Sequence, residues 1–127
     1  MRVVDTSAWI EALVRSPTGV KIVSLLPHES DWLVPTIVQY ELAKWGARLP
    51  AEHEEAIDVI AFSRLCVVAP LTTSIALEAS DVGREFRLAA PDAIVYATAR
   101  QFGADLLTCD AHFDGLPGVR YLPKAAH

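Results

Sequence analysis

Short apolar runs alternate along the chain with longer stretches of helical spacing, and this alternation sets the predicted elements. Arg2-Val3-Val4 makes a first strand, and Trp9, Ile10, Leu13 and Val14 recur at helical spacing as far as the breaker Ser16-Pro17-Thr18-Gly19. A second short helix is expected over 20–26. Trp32-Leu33-Val34 is read as a strand ended by Pro35, and Thr36 with Gln39 three residues later matches a capping box that opens a helix through Arg48. A helix over 52–64 leads to the strand Cys66-Val67-Val68-Ala69, stopped by Pro70. Residues 72–88 are mainly helical, with Gly83 as a break. Pro91 suits the first position of a helix over 92–102 that is apolar on nearly every face, hence largely buried, until Gly103 ends it. Leu106-Leu107-Thr108 is a buried strand, 110–113 a short turn or helix, and Val119-Arg120-Tyr121-Leu122 a last, edge strand.

Strands alternating with helices, without repeat or linker, predict an α/β fold with a central parallel sheet, formed as one domain over residues 1–127. A chain of 127 residues has room for one core and no second. Its 52% hydrophobic and 21% charged residues exclude a disordered protein. The longest apolar candidate, 65–77, is too short for a membrane span and is broken by Pro70. Met1-Arg2-Val3-Val4 runs straight into Asp5, without the apolar stretch of a signal peptide, so a soluble, cytoplasmic protein is expected. Cys66 and Cys109 have no CxxC partner and are expected as reduced thiols near strands. His28, His53, His112 and His127 show no ligand spacing and are assigned to the surface, His112 standing only two residues from an acid, Asp110.

In open α/β sheets ligands bind beyond the carboxyl ends of the strands. Asp5 ends the first strand, Glu41 lies early in the helix after the second, and Asp110 follows the strand ending at Thr108. Asp92 joins them from a helix N-terminus. Each acid has an ordinary alternative: Asp5, Asp92 and Asp110 as helix caps, and Glu41 as an i,i+3 partner of Lys44. Asp92 is harder to explain this way. Its helix continues Ala93-Ile94-Val95-Tyr96-Ala97, and Asp5 is wedged between Val3-Val4 and Trp9-Ile10, so both face burial without a neighbouring cation in sequence.

Carboxylates that meet in one crevice repel unless a cation lies between them, and oxygen donors without Cys or His spacing favour Mg²⁺ or Mn²⁺. Such a centre suits phosphodiester hydrolysis. The formal net charge of −5 argues against a phosphate-bearing partner until those four acids are neutralised, which leaves the remaining chain almost uncharged. Thr6, Ser7 and Thr108 stand beside the acids as supporting hydroxyls, with helix capping an equal reading for Thr6 or Ser7. Lys44 and Arg48, and separately Arg84 and Arg87, are placed to hold phosphates at the rim, or simply to face solvent.

Four segments carry a family resemblance: Val3-Val4-Asp5-Thr6-Ser7-Ala8-Trp9-Ile10, Pro35-Thr36-Ile37-Val38-Gln39-Tyr40-Glu41-Leu42, Pro91-Asp92-Ala93-Ile94-Val95-Tyr96-Ala97-Thr98-Ala99 and Leu107-Thr108-Cys109-Asp110-Ala111-His112-Phe113. In this order and at this length they resemble PIN-domain proteins, specifically the VapC-type toxins of toxin–antitoxin pairs. The resemblance implies a three-layer α/β/α sandwich, Mg²⁺ or Mn²⁺ in an acidic pocket, endonucleolytic RNA cleavage, a homodimer, and inhibition by a small antitoxin. By position, Asp5 and Asp92 would be the principal metal ligands, with Glu41 and Asp110 completing the set and Asp114 able to replace Asp110. Pro91 and Tyr40 depart from the family pattern, where Ala and smaller residues are common. Two other readings compete. A catalytically silent PIN-like binding module would have lost acids that this chain keeps. A receiver or aspartyl phosphatase domain would carry an acid two residues after Asp5 and a lysine after a late strand, and this chain has neither.

Overall fold

The computed structural model describes residues 1–49 and 55–125, with the backbone alone for 55–58. Five parallel strands, β1 (Arg2–Val4), β2 (Trp32–Pro35), β3 (Val67–Ala69), β4 (Asp105–Thr108) and β5 (Val119–Tyr121), form one sheet in the order β3-β2-β1-β4-β5. Six helices connect them: α1 (Thr6–Val14), α2 (Pro17–Val23), α3 (Thr36–Gly46), α4 (Glu55–Ser63), α5 (Thr73–Phe86) and α6 (Ala90–Gln101). The chain winds from β1 outward to β3, then crosses back to β4. Right-handed crossovers therefore put α1 to α4 on one face and α5 and α6 on the other, giving the three layers expected.

Each layer has its own aromatic packing. Trp9, Trp32 and Phe62 meet on one side, with the two indoles 4.7 Å apart, while Tyr96 lies between Phe86 and Phe113 on the other. Between them the strands are apolar on both faces, as a sheet covered twice requires: Val3, Val4, Leu33, Val34, Leu106 and Leu107 are essentially inaccessible. At the amino-terminal edge of the sheet, Arg2 makes a two-pronged ion pair with Asp105, both bonds 2.8 Å, and donates to Leu25 O.

Several local expectations are corrected. The first helix does end before Ser16-Pro17-Thr18-Gly19, but the second begins inside that segment, at Pro17 and not at Val20. Ser16 caps α2 by accepting from Gly19 N at 2.9 Å, and Pro17, needing no N–H, starts the helix. Gly19 is required there because a Cβ would lie 1.9 Å from Glu11 O on α1. The capping box is absent, because Thr36 is already helical, the cap position is Pro35, and Gln39 instead donates to Ser63 Oγ (3.1 Å), tying α3 to α4. Pro35 itself belongs to β2, where it pairs only with Ala69 of β3, β1 having ended by then. Gly83 leaves α5 unbroken and lets α6 approach, a Cβ there lying 3.4 Å from Ala93 Cβ. Of the helix predicted over 52–64, residues 52–54 lie outside the described residues. Cys66 precedes β3 and Cys109 follows β4; both are free, and burial pushes each thiol up to about 11, leaving it unreactive.

Candidate metal centre

The strand order reverses direction around β1, and the crevice at the carboxyl ends of β1 and β4 is where such a sheet opens. Asp5 stands there, only 5% exposed, at the cap position of α1 yet making no capping bond with its side chain. Its Oδ2 instead accepts from Ser7 Oγ (2.8 Å) and Thr108 Oγ1 (2.9 Å). With their protons directed at Asp5, those hydroxyls act as acceptors for the backbone: Cys109 N donates to Ser7 Oγ and Asp110 N to Thr108 Oγ1, each at 3.0 Å. The result is a lock between the ends of β1 and β4. Among the described residues no side chain donates to Oδ1 and no Lys or Arg pairs with Asp5. Burial raises its pKa, the two hydroxyls oppose that rise, and the charge of Asp110 adds to it.

Glu41 projects from α3 toward the same place, and its Oε1 accepts from Thr6 Oγ1 at 2.8 Å. It makes no ion pair with Lys44, so the ordinary i,i+3 reading does not hold. Burial raises its pKa first of all; Thr6 and Lys44 lower it, while Asp5 and Asp110 push it up. Asp92 sits in the first turn of α6 and is the most perturbed, pushed up to about 6 by burial and then by Asp110 and Asp5, with Glu41 adding and His112 opposing. Asp110 does serve as a cap, its Oδ1 accepting from His112 N at 2.9 Å in the turn Ala111–Phe113. It is also a charge that Asp5, Glu41 and Asp92 all feel. The four acids thus share one electrostatic neighbourhood.

His112 is exposed, as the sequence predicts, but it is not merely a surface residue. Its Nδ1 lies 3.1 Å from Asp110 Oδ1 and 3.6 Å from Asp92 Oδ2. Donor atoms of Asp92, Asp110 and His112 all lie within 4.8 Å of one another, close enough to share one ion. Only its position two residues after Asp110 signalled this. Asp114 is exposed and outside that group. The hydroxyls Thr6, Ser7 and Thr108 each hold an acid and cap nothing.

A divalent cation fits this donor set. Three acids resist ionisation because they are buried among like charges, and a cation relieves both causes at once. Carboxylate oxygens with one imidazole suit a hard ion or a first-row metal at the harder end. Of the rim cations, Lys44 and Arg48 line a groove with Thr6 and Glu41. The Arg84 guanidinium bonds Asp81 at 2.8 Å and lines a separate groove between α5 and α6. Arg87 closes α5 in the left-handed region, φ 57°.

Residues 2–119 match the family model for the PIN domain, and the chain belongs to that family. No curated protein sequence matches it significantly. Solved structures share the fold at low identity. A toxin–antitoxin complex from Klebsiella pneumoniae superposes with a TM-score of 0.79 at 21% identity, over 94% of this chain and 96% of that one. The DNA-bound VapBC of Salmonella typhimurium gives 0.70 at 19% identity, over 96% of each. VapC20 of Mycobacterium tuberculosis, described as a sarcin-ricin loop cleaving toxin, gives 0.73 at 20% identity, over 97% of this chain and all of that one.

Proposed function

We propose that the protein is a metal-dependent endoribonuclease and the toxin of a toxin–antitoxin pair. The observation that carries this reading is the convergence of Asp5, Glu41, Asp92 and Asp110, three of them with raised pKa values, at the crevice where the sheet changes direction. These acids would hold Mg²⁺, with Mn²⁺ as a substitute and His112 beside Asp92 and Asp110. Bound there, the ion supplies neutralisation of the phosphodiester charge and activation of water for attack.

The chain's own residues supply the placement. Ser7 and Thr108 fix Oδ2 of Asp5, and among the described residues no donor side chain competes for Oδ1. Thr6 fixes Glu41 through Oε1. Supporting bonds of this kind orient ligands and tune their basicity. Lys44 and Arg48 hold flanking phosphates.

A protein partner is part of the proposal, since the solved relatives in complexes are named for toxin and antitoxin together. An apolar groove of about 430 Å³ between α1, α2, β2 and α4 supports it, lined by Leu13, Val23, Leu26, Val59 and Phe62 along with the indoles of Trp9 and Trp32. Both indole Nε1 atoms are buried and find no acceptor among the described residues. A homodimer and a cytoplasmic location complete the reading; no described helix is long and apolar enough to cross a membrane.

The test is cleavage of several structured RNAs by the purified, partner-free chain, with Mn²⁺ or Mg²⁺ against EDTA. Asp5→Asn, its fold checked by circular dichroism, runs alongside. Metal-dependent cleavage that disappears in Asp5→Asn is expected. A folded wild type that neither cleaves RNA nor binds Mn²⁺ removes the mechanism and leaves a binding module.

A further inference from the structure

Beside the side of α3 that buries Val38 and Leu42 in the core, Ile37, Tyr40, Glu41, Lys44 and Trp45 line a groove that Arg48 extends just past the helix end. With Thr6 and Ile10 of α1 and Pro91 before Asp92 also lining it, the groove holds about 460 Å³, within the roughly 300–1,000 Å³ of small-ligand pockets. At one end it includes Thr6 and Glu41 of the acid cluster; at the other it carries Lys44 and Arg48, one helical turn apart. Tyr40 is 63% exposed and Trp45 is half-buried, and the two rings reach the groove from different edges of the helix.

We propose that this groove is a subsite for single-stranded RNA next to the cleavage point, with an unstacked base against Trp45 and Tyr40 and the following phosphates on Lys44 and Arg48. The inference rests on the ribonuclease reading and adds which side chains of this chain hold the strand. Aromatic faces with an interleaved basic pair are what a single strand needs, because every base presents a π-face and every step a phosphate. A paired helix hides its base faces in the stack and leaves the aromatic lining unused. An acidic peptide would satisfy the two cations as phosphates do but would leave the rings without a planar partner. The groove's continuity with Thr6 and Glu41 also keeps the bound nucleotide beside the reacting centre.

The experiment reads binding and not cleavage, so it stands apart from the nuclease test. Fluorescence anisotropy in EDTA at low salt compares a labelled single-stranded oligoribonucleotide with a perfectly paired RNA duplex, with an unlabelled Glu-rich peptide as competitor. The expected results are a preference for the single strand, about tenfold or greater weakening by Trp45→Ala, partial weakening by Tyr40→Ala, and retention by Trp45→Phe. Lys44→Ala and Arg48→Ala each flatten the dependence of log K on log salt by about 0.7. Tyr40→Ala changes an exposed residue and keeps the test sound if Trp45→Ala fails to fold. Equal binding of duplex and single strand, wild-type affinity in both aromatic variants, displacement by the peptide, or no single-strand binding at all would overturn the subsite. Any of these alongside RNA cleavage leaves the nuclease standing; Trp45-dependent binding without cleavage under Mn²⁺ leaves the subsite standing and removes the nuclease.

Discussion

Replacing Asp92 by Asn should stabilise the metal-free protein, and by an amount that depends on pH. The carboxyl is about one-fifth exposed and titrates near 6 instead of 3.8, chiefly because of burial and then because Asp110, Asp5 and Glu41 are negative. A carboxyl whose folded pKa is raised holds its proton more tightly in the folded state. Its favourable contribution is complete below pH 3.8 and is lost as the pH climbs to 6, and above that the ionised group weakens the fold by up to about 3 kcal/mol. Asn has no charge to bury, so the difference between Asp92→Asn and wild type should be small at pH 4 and grow to between about 1 and 3 kcal/mol at pH 7.5. Part of the gain is offset by the lost attraction of His112. Guanidinium unfolding in EDTA at half-unit pH steps measures it, with unchanged slopes certifying that the unfolded state is the same. Saturating Mn²⁺ should reverse the order, since an ion at 1,000 times its Kd stabilises wild type by about 4.1 kcal/mol and the variant by much less. A difference that does not vary with pH, or a variant less stable than wild type at pH 7.5 without metal, would mean that Asp92 is not held in its neutral form by burial and its neighbours.

Two further outcomes follow from named contacts. Thr108→Val removes one donor from Asp5 and the acceptor of Asp110 N–H. It should cost about 1–3 kcal/mol in guanidinium unfolding at pH 7.5 and lower Mn²⁺ affinity about 10- to 100-fold by calorimetry. Gly19→Ala drives a Cβ into Glu11 O and should destabilise by about 3 kcal/mol or more while leaving the Mn²⁺ affinity of the surviving folded protein unchanged.

The strand and helix alternation was legible because the sheet is buried on both faces and its strands are accordingly continuous apolar runs, and the positions of Asp5, Glu41, Asp92 and Asp110 at element ends pointed to one crevice. Which competitor each acid would satisfy was not legible. Asp5 could have capped α1, yet Ser7 and Thr108, 101 residues apart in the chain, take its Oδ2 instead. Glu41 could have paired with Lys44, but Thr6 reaches it first. Gln39 has the spacing of a capping box and is drawn off by Ser63, 24 residues away. In each case a short-range rule lost to a partner supplied only by tertiary packing. The groove of Tyr40 and Trp45 was hidden for a related reason: an apolar stripe beside a core stripe on one helix becomes a groove only when α1 and Pro91 supply the opposite wall.

If the acid cluster is a cation site, a crystal of the protein soaked in Mn²⁺ and measured for anomalous scattering will show a peak between the carboxylates of Asp5, Asp92 and Asp110, absent in Asp92→Asn crystals soaked alike. Mn²⁺ bound elsewhere in a fully soaked crystal, with no peak at these carboxylates, would mean that the cluster holds no cation.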